Sequence, residues 1–298
     1  VGSEMCIRDR RYTYPQDKDA RVMIDLKIPS EYDYQIVEGS IKQTGARRIE
    51  GFSKQLSKNV WSADADQNYT IYFVIEFNKD IKKFGGWHDH TLWETDTMTA
   101  SYPQRFGCYA EFDTTDYPEV MVRSGISYVD MAGASNNLSN EITEPFGWNF
   151  EAVRKHQSDS WNNILNRVRI YSNDYREKAR FYTNLYRAFC RNTFSDADRR
   201  WVDAAGNIQK LDDPDAVALG CDAFWNTFWN LNQVWNLIAP EWSSRWVKSQ
   251  LAMYDANGWL AKGPSGMKYI PVMVAEHEIP LLVSTYQMGI RNYDAEKM

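Results

Sequence analysis

The spacing of the hydrophobic residues changes once along this 298-residue chain, near Asn149, and that change constrains the fold more than any other feature. Before it, from Arg21 to about Tyr128, short runs of β-branched and aromatic residues are bounded by Gly, Pro, Asn or Asp, as strands are. The runs cover 22–28, 70–77, 108–112 and 120–126. Because no helical pattern separates them, we expect an antiparallel β-sandwich rather than a parallel sheet.

After Asn149 the apolar residues recur at steps of three and four, which predicts helices. One helix contains Phe150 to Val168, and a second follows Asp174 as its N-cap and reaches Cys190. Three more are predicted over 222–238, about 242–255 and about 271–288, with Pro240 ending the first of these. Strands followed by helices favour a β domain followed by an α domain.

The predicted organisation divides the chain into a β-sandwich over 11–147, a linker helix over 148–172 and a helical domain over 173–298. Residues 1–10 contain neither the apolar segment of a signal peptide nor a strand pattern that continues past Arg10. We therefore interpret them as a non-native leader. Asp294 has the position of an N-cap whose helix barely begins, so both ends predict that the chain is part of a longer protein.

Composition excludes several classes of partner. Hydrophobic residues make up 43% and charged residues 25% of the chain, as in soluble globular proteins. No apolar run approaches the ~18 residues of a membrane span. A formal charge of −6 without a basic stripe argues against nucleic acid. The four cysteines have no paired spacing, so neither a zinc site nor a disulfide framework is indicated.

The stretch from Gly220 to Trp242 is the first candidate for a binding surface. One helical face carries large apolar residues, and the rest of the circumference carries aromatic planes and amides, among them Trp225 and Asn226. Two interpretations remain open: a core helix filled with Trp, or a helix with one face in the core and one lining a pocket. Seven of the twelve Trp lie between Trp201 and Trp259. Amides beside flat rings suit a sugar, which has both hydroxyls and apolar C–H faces.

A second candidate lies in the predicted β domain, where Trp87 and Trp93 flank His88, Asp89 and His90. The His-x-His pair with an acidic neighbour is compatible with half of a metal site, but no third ligand is identified. A polar surface loop and a loop that closes over a pocket are the other two interpretations.

The third candidate is the run Glu276, His277 and Glu278 inside an apolar segment. Successive helical residues differ in direction by about 100°, so at least one of the three points inward. A buried carboxylate or imidazole is either functional or a hydrogen-bonded part of the core. The preceding loop places Trp259 and Lys262 where they could line a pocket mouth. Since no Ser-His-acid or Cys-His arrangement is indicated, carboxylates and amides are the expected reacting and binding groups.

In its order of motifs the chain resembles glycoside hydrolase family 92, the calcium-dependent, inverting, exo-acting α-mannosidases. The motifs that carry the resemblance span nearly the whole chain. They are Arg11-Tyr-Thr-Tyr-Pro, Ile49-Glu-Gly-Phe, 71–77, Phe112-Asp-Thr-Thr, 125–129, 181–186, 194–198, Trp225-Asn-Thr-Phe, Gly258-Trp-Leu, His277-Glu-Ile-Pro and 289–294. The resemblance implies an N-terminal β-sandwich, a linker helix and the opening helices of an incomplete (α/α)6 toroid. It also implies a calcium cofactor, a glycan substrate and a secreted or periplasmic location.

This chain departs from the family pattern at one motif. Where the family has Trp-Asp-Thr-Phe-Arg, the chain has Trp-Asn-Thr-Phe-Trp over 225–229. The amide of Asn226 can hydrogen-bond a hydroxyl but brings no charge. The nearby carboxylate of Asp222 could supply that charge. The predicted substrate-binding residues are Trp87, His88, Asp222, Trp225, Asn226, Trp259, Lys262, Glu276 and His277.

The catalytic residues remain unassigned, because the resemblance implies that the acid, the base and most calcium ligands lie after position 298. An inverting glycosidase needs two carboxyls about 6.5–9.5 Å apart. We therefore expect this chain to be the N-terminal portion of an exo-α-mannosidase that removes terminal mannose from glycans, and to be inactive alone. The alternatives are a divergent glycosidase for another sugar and a carbohydrate-binding protein without catalysis.

Overall fold

A computed structural model describes residues 7–17, 19–27, 35–57, 67–100, 105–189, 192–220, 224–261, 264–265, 268–269 and 276–298. The chain forms two units. The first contains Val1–Val153 and Asp196–Asp198, and the second contains Arg154–Ser195 and Arg199–Met298. Within the described residues, no helix has the length and apolar character needed to cross a membrane.

In the described part of the first unit, ten strands form two antiparallel sheets. They are β1 (Ile7–Thr13), β2 (Ala20–Asp25), β3 (Gln35–Gly45), β4 (Arg48–Ser57), β5 (Gln67–Phe77), β6 (Lys83–His88), β7 (Thr91–Glu94), β8 (Thr97–Ala100), β9 (Phe106–Phe112) and β10 (Glu119–Ser127). The larger sheet has the order β1-β10-β5-β4-β3-β8, and the smaller has the order β2-β9-β6-β7. Every pair in both sheets is antiparallel.

The core of the first unit lies between these sheets, because its buried cluster takes side chains from both. The larger sheet contributes residues such as Ile41, Ile49 and Phe77, and the smaller contributes Phe106 and Phe112. The rings of Phe77 and Phe112 meet across the sheets with centroids 4.8 Å apart. The predicted β-sandwich is therefore confirmed.

The outer face of the larger sheet is covered by helices. These are α1 (Met131–Leu138), a π-helical turn (Ser139–Thr143), α2 (Glu144–Phe146) and the start of α3 (Phe150–Leu165). Val74 of the sheet packs with Ala134, Leu138, Ile142 and Val153 in a second buried cluster. The predicted helix from Phe150 is thus present, although it ends at Leu165 rather than at Val168.

The first unit also contains a short segment from later in the chain, Asp196–Asp198. The carboxylate of Asp196 is 4% exposed and accepts hydrogen bonds from Ser127 Oγ at 2.7 Å and Asn137 Nδ2 at 2.8 Å. Asn137 Oδ1 in turn accepts from the Ala197 backbone N–H at 2.7 Å. A Cβ added at Gly133 would collide with Asp196 Oδ2, so only glycine leaves room for this carboxylate.

The second unit is mainly helical and has a few very short strands. Its other helices are α4 (Tyr175–Ala188), α5 (Phe224–Thr227), α6 (Leu231–Ile238), α7 (Pro240–Asn257) and α8 (Glu278–Gln287). The short strands form three pairs. These are β11 (Asn192–Thr193) with β14 (Leu219–Gly220), β12 (Arg200–Val202) with β13 (Ile208–Lys210), and β15 (Pro264–Ser265) with β16 (Lys268–Tyr269). Asp174 caps α4 as predicted, because its side chain accepts from the Arg176 N–H at 2.7 Å.

Two predicted helices differ from those observed. The single helix expected over 222–238 is two helices, α5 and α6, separated at Asn230, whose φ of −157° is not helical. Asn and Thr side chains compete with the backbone for hydrogen bonds, which weakens a helix there. Pro240 does more than end a helix, since it is the first residue of α7, and Ala239 before it has the extended φ of −147° that proline favours.

The second difference is the helix expected over about 271–288, because α8 begins only at Glu278. Residues 271–275 of this prediction lie outside the described residues. Glu276 therefore precedes the helix, and His277 occupies the N-cap position.

A buried aromatic cluster forms the core of the second unit. The indoles of Trp235 and Trp246 stack with centroids 5.7 Å apart and planes inclined by 14°. Phe224 meets Trp246 edge to face at 5.3 Å. Leu251 and Leu281 belong to the same cluster, so α5, α6, α7 and α8 share one core.

The hairpin β12–β13 provides a test of pH-dependent stability. Asp203 is fully buried, and its carboxylate accepts from the N–H groups of Ala205 and Asn207 and from Gln209 Nε2. Burial alone would raise the pKa of Asp203, but these hydrogen bonds outweigh burial and hold the pKa below its usual value. The ionised carboxylate of Asp203 therefore makes its full contribution to the free energy of unfolding above about pH 4, where an unfolded Asp is ionised. This contribution is lost as the pH falls through the lower folded pKa.

We expect Asp203→Asn to lower the free energy of unfolding by about 1–3 kcal/mol at pH 7, since an amide cannot accept all of these bonds. The difference from the wild type should shrink as the pH falls below about 4 and through the lowered folded pKa of Asp203, because the carboxyl is then protonated. Urea unfolding at each pH measures it. The exposed Asp212→Asn is the control, and an equal effect of both variants at pH 7 would contradict the assignment.

Candidate functional site

Trp87 of β6 is held firmly within the smaller sheet. Its Nε1 donates to the Ile24 carbonyl at 3.2 Å, and the side chain lies against Gly107 of β9. A Cβ at Gly107 would approach Trp87 Nε1 to 2.7 Å, so this glycine makes room for the indole. The guanidinium of Arg105 is 5.8 Å from the ring centroid, and Trp87 is only 9% exposed. Packing therefore fixes this side chain.

His88 ends β6 beside a tight turn. Its Nδ1 lies 3.1 Å from Asp89 Oδ2, and Asp89 adopts a left-handed φ of 53° before His90. His88 Nε2 is buried, and the described residues offer it no hydrogen-bond partner. A buried imidazole nitrogen of this kind is available to a polar atom of a ligand.

The predicted residues of α5 lie at its surface. Asn226 is exposed and Trp225 is half-buried, whereas Phe224 is fully buried. Just beyond α5, the ring of Phe228 packs on the imidazole of His277 with centroids 4.9 Å apart. The structure thus brings the end of α5 to the start of α8, two segments that no local sequence pattern connects.

The remaining predicted residues are more scattered. Trp259 follows α7 and is 76% exposed, and no described contact joins it to Asn226 or His277. Glu276 is exposed, whereas Glu278 is 2% exposed, so Glu278 is the member of the acidic run that points inward. Asp222 and Lys262 lie outside the described residues.

Sequence reasoning missed Asn232. This residue of α6 is 1% exposed, and neither its Oδ1 nor its Nδ2 has a hydrogen-bond partner in the described part of the chain. Its neighbour one turn later, Asn236, is bonded to α8 through Ser284 and Thr285. The i, i+4 spacing of two Asn in an apolar helix was the available signal, because it places both on one helix face.

The described residues do not assemble a metal site. Among them, no group of three or more His, Cys, Asp or Glu side chains is arranged to hold an ion. The residues present here therefore do not fit calcium by themselves, and no chemical step is assigned to it.

Comparison with family models gives two matches in chain order. The glycosyl hydrolase family 92 N-terminal domain matches residues 10–127, and the family 92 catalytic domain matches residues 133–298. Together they cover the described sandwich and the helical unit, which places the chain among the glycoside hydrolases. The chain belongs to glycosyl hydrolase family 92.

Solved structures agree with this fold. The family 92 α-mannosidase BT3965 from Bacteroides thetaiotaomicron is 21% identical with a TM-score of 0.83, over 99% of this chain and 39% of that one. The inverting mannosidase BT2199 from the same organism is 21% identical with a TM-score of 0.80, over 98% of this chain and 37% of that one. This chain therefore spans less than half the length of either protein. The comparison with curated proteins gave no match.

Proposed function

We propose that the protein is an inverting exo-α-mannosidase that removes terminal mannose from glycans outside the cytoplasm. The observation that carries the proposal is the match of both family 92 domains, in order, over 10–127 and 133–298. The structural relatives support mannose as the sugar, because two are named mannosidases and BT3965 has been solved with mannoimidazole. The calcium requirement and the extracellular location rest on the resemblance alone.

In this proposal the chain supplies sugar contacts rather than the reacting carboxyls. Trp225 offers a flat apolar surface for the C–H face of a pyranose, and Asn226 offers a neutral donor and acceptor for its hydroxyls. His88, Trp259, Glu276 and His277 remain proposed contacts, as do Trp87, Asp222 and Lys262. We assign the general acid and the general base to the part of the protein after position 298.

The direct experiment compares this 298-residue chain with the complete protein encoded by its gene, using an aryl α-mannoside. We expect no turnover from the chain alone, and turnover with inversion at the anomeric carbon, monitored by NMR, from the complete protein. Turnover by the chain alone would show that the carboxyls are misassigned. Turnover of a different aryl glycoside would identify a divergent glycosidase, and sugar binding without turnover would identify a carbohydrate-binding protein.

Asn226→Ala in the complete protein tests the proposed contact at α5. Because Asn226 is exposed, the melting temperature should change little. Loss of one neutral hydrogen bond to the sugar should cost about 0.5–1.5 kcal/mol of binding free energy. Calorimetric titration with mannose measures this cost. Unchanged affinity would remove Asn226 from the site.

A further inference from the structure

Helices α6 and α8 run parallel to each other. Asn236 Nδ2 donates to Ser284 Oγ at 3.4 Å, and Thr285 Oγ1 donates to Asn236 Oδ1 at 3.3 Å. Toward the N-terminal end, Phe228 meets His277 at 4.9 Å between centroids. The partners are 48 and 49 residues apart at the first place and 49 at the second, as expected for two segments that point the same way.

Both helices begin at this end of the seam, and neither beginning is capped by a side chain. Asn230 before α6 and His277 before α8 make no side-chain capping hydrogen bond. The N–H groups of two parallel helix starts are therefore directed toward the same region. Helix starts alone do not define a site, but a buried polar side chain lies beside them.

That side chain is Asn232, which lies one turn before Asn236 on the face of α6 that meets α8. It is 1% exposed, and both of its amide atoms lack partners in the described part of the chain. Because helical side chains lean toward the N-terminus, its amide is directed toward the contact of Phe228 with His277. His277 Nδ1 is also buried and has no partner among the described residues.

Leaving these groups unpaired is costly, so an oxygen that pairs with them would be bound firmly. Two carboxyl groups restrict the kind of ligand that can supply this oxygen. Glu278 is buried at the first position of α8, and Glu276 precedes the helix. Carboxyl oxygens beside the helix starts disfavour the oxygens of an added anion there and favour a neutral hydroxyl.

From these observations we infer that Asn232 and His277 bind a hydroxyl of a neutral sugar at the N-terminal end of the α6–α8 seam. The inference rests on the proposed function, because it names a further sugar contact of the same protein. Asn232 acts as donor and acceptor, and His277 Nδ1 completes the hydrogen bonding of the same hydroxyl.

The test uses the complete protein, with D-mannose as the probe and Asn232→Leu as the variant. We expect Asn232→Leu to bind mannose about 3- to 10-fold more weakly, as loss of one neutral hydrogen bond predicts, with an unchanged or higher Tm. Asn236→Leu is the matched control, one turn along the same face. It loses bonds within the protein, so its Tm should fall while its affinity for mannose stays unchanged.

A series of monodeoxy mannoses identifies the hydroxyl. The wild type and Asn232→Leu should have equal affinity for the monodeoxy mannose that lacks the hydroxyl bound by Asn232. If Asn232→Leu binds mannose as the wild type does, Asn232 holds only internal water and the inference is overturned. If neither Asn232→Leu nor Asn232→Ser folds, the amide is structural and the inference is likewise overturned.

The two proposals fail in different ways. A complete protein that binds mannose through Asn232 but hydrolyses no mannoside would overturn the proposed function and leave this contact standing. A complete protein that hydrolyses mannosides equally well with and without Asn232→Leu would support the proposed function and overturn the Asn232 contact. If mannose and the other common hexoses fail to bind at all, the sugar contact is overturned.

Discussion

Trp235→Ala is expected to lower the free energy of unfolding of the second unit by about 3–5 kcal/mol. Trp235 is 1% exposed and stacks on Trp246, so its removal leaves a large cavity in the buried cluster. The change also removes the hydrogen bond from Trp235 Nε1 to the Ala188 carbonyl, which is 2.9 Å long. That carbonyl is then left without this donor at the end of α4.

Trp229→Ala is the matched control, because Trp229 is 73% exposed although it lies only six residues earlier. It should change the free energy by no more than about 0.5 kcal/mol. Urea unfolding monitored by far-UV circular dichroism measures both variants without depending on the indole that is removed. Equal losses in the two variants would mean that the Trp229 side is also core, and the surface at the end of α5 would then be misassigned.

Asp196→Ala is expected to destabilise the first unit by about 3–6 kcal/mol, since it removes two hydrogen bonds to a buried carboxylate at about 1.5–3 kcal/mol each. Ser127 Oγ loses its acceptor in a site that is almost closed to water, and Asn137 Nδ2 keeps only the Ile126 carbonyl. Gly133→Ala should destabilise the same site by about 1–3 kcal/mol, because the added methyl group collides with the carboxylate.

The control for this pair is Asp116→Ala, which removes an exposed carboxylate from the same unit. It should lie within about 0.5 kcal/mol of the wild type. Thermal unfolding of the three variants measures the ranking. If Asp196→Ala has the same melting temperature as Asp116→Ala, the segment Asp196–Asp198 contributes nothing to the stability of the sandwich.

The β-sandwich could be predicted because its central strands are rich in β-branched and aromatic residues and are bounded by turn residues. The four strands found in advance correspond to β2, β5, β9 and β10. The strands that were missed lack this signal. β1 contains Arg8, Asp9, Arg10 and Arg11 within seven residues, and β7 is exposed along its whole length. Such strands are specified by their partners rather than by their own residues.

The helical half could be predicted to a similar depth. The caps and apolar steps located α3, α4 and α7, because these signals are local. The break between α5 and α6 and the late start of α8 were missed, because a continuous apolar spacing hides a change of backbone direction. The candidate site depends on both of these details.

The order of the two folds, the family and the kind of residue available for binding could be predicted before any packing was known. These depend on hydrophobic period, motif order and side-chain chemistry, all of which are local along the chain. The packed structure was needed to show that Glu278 is the buried member of its run, that Phe228 contacts His277 and that Asn232 is buried without a partner among the described residues. Burial and pairing depend on which helix packs beside which, and Phe228 and His277 are 49 positions apart along the chain.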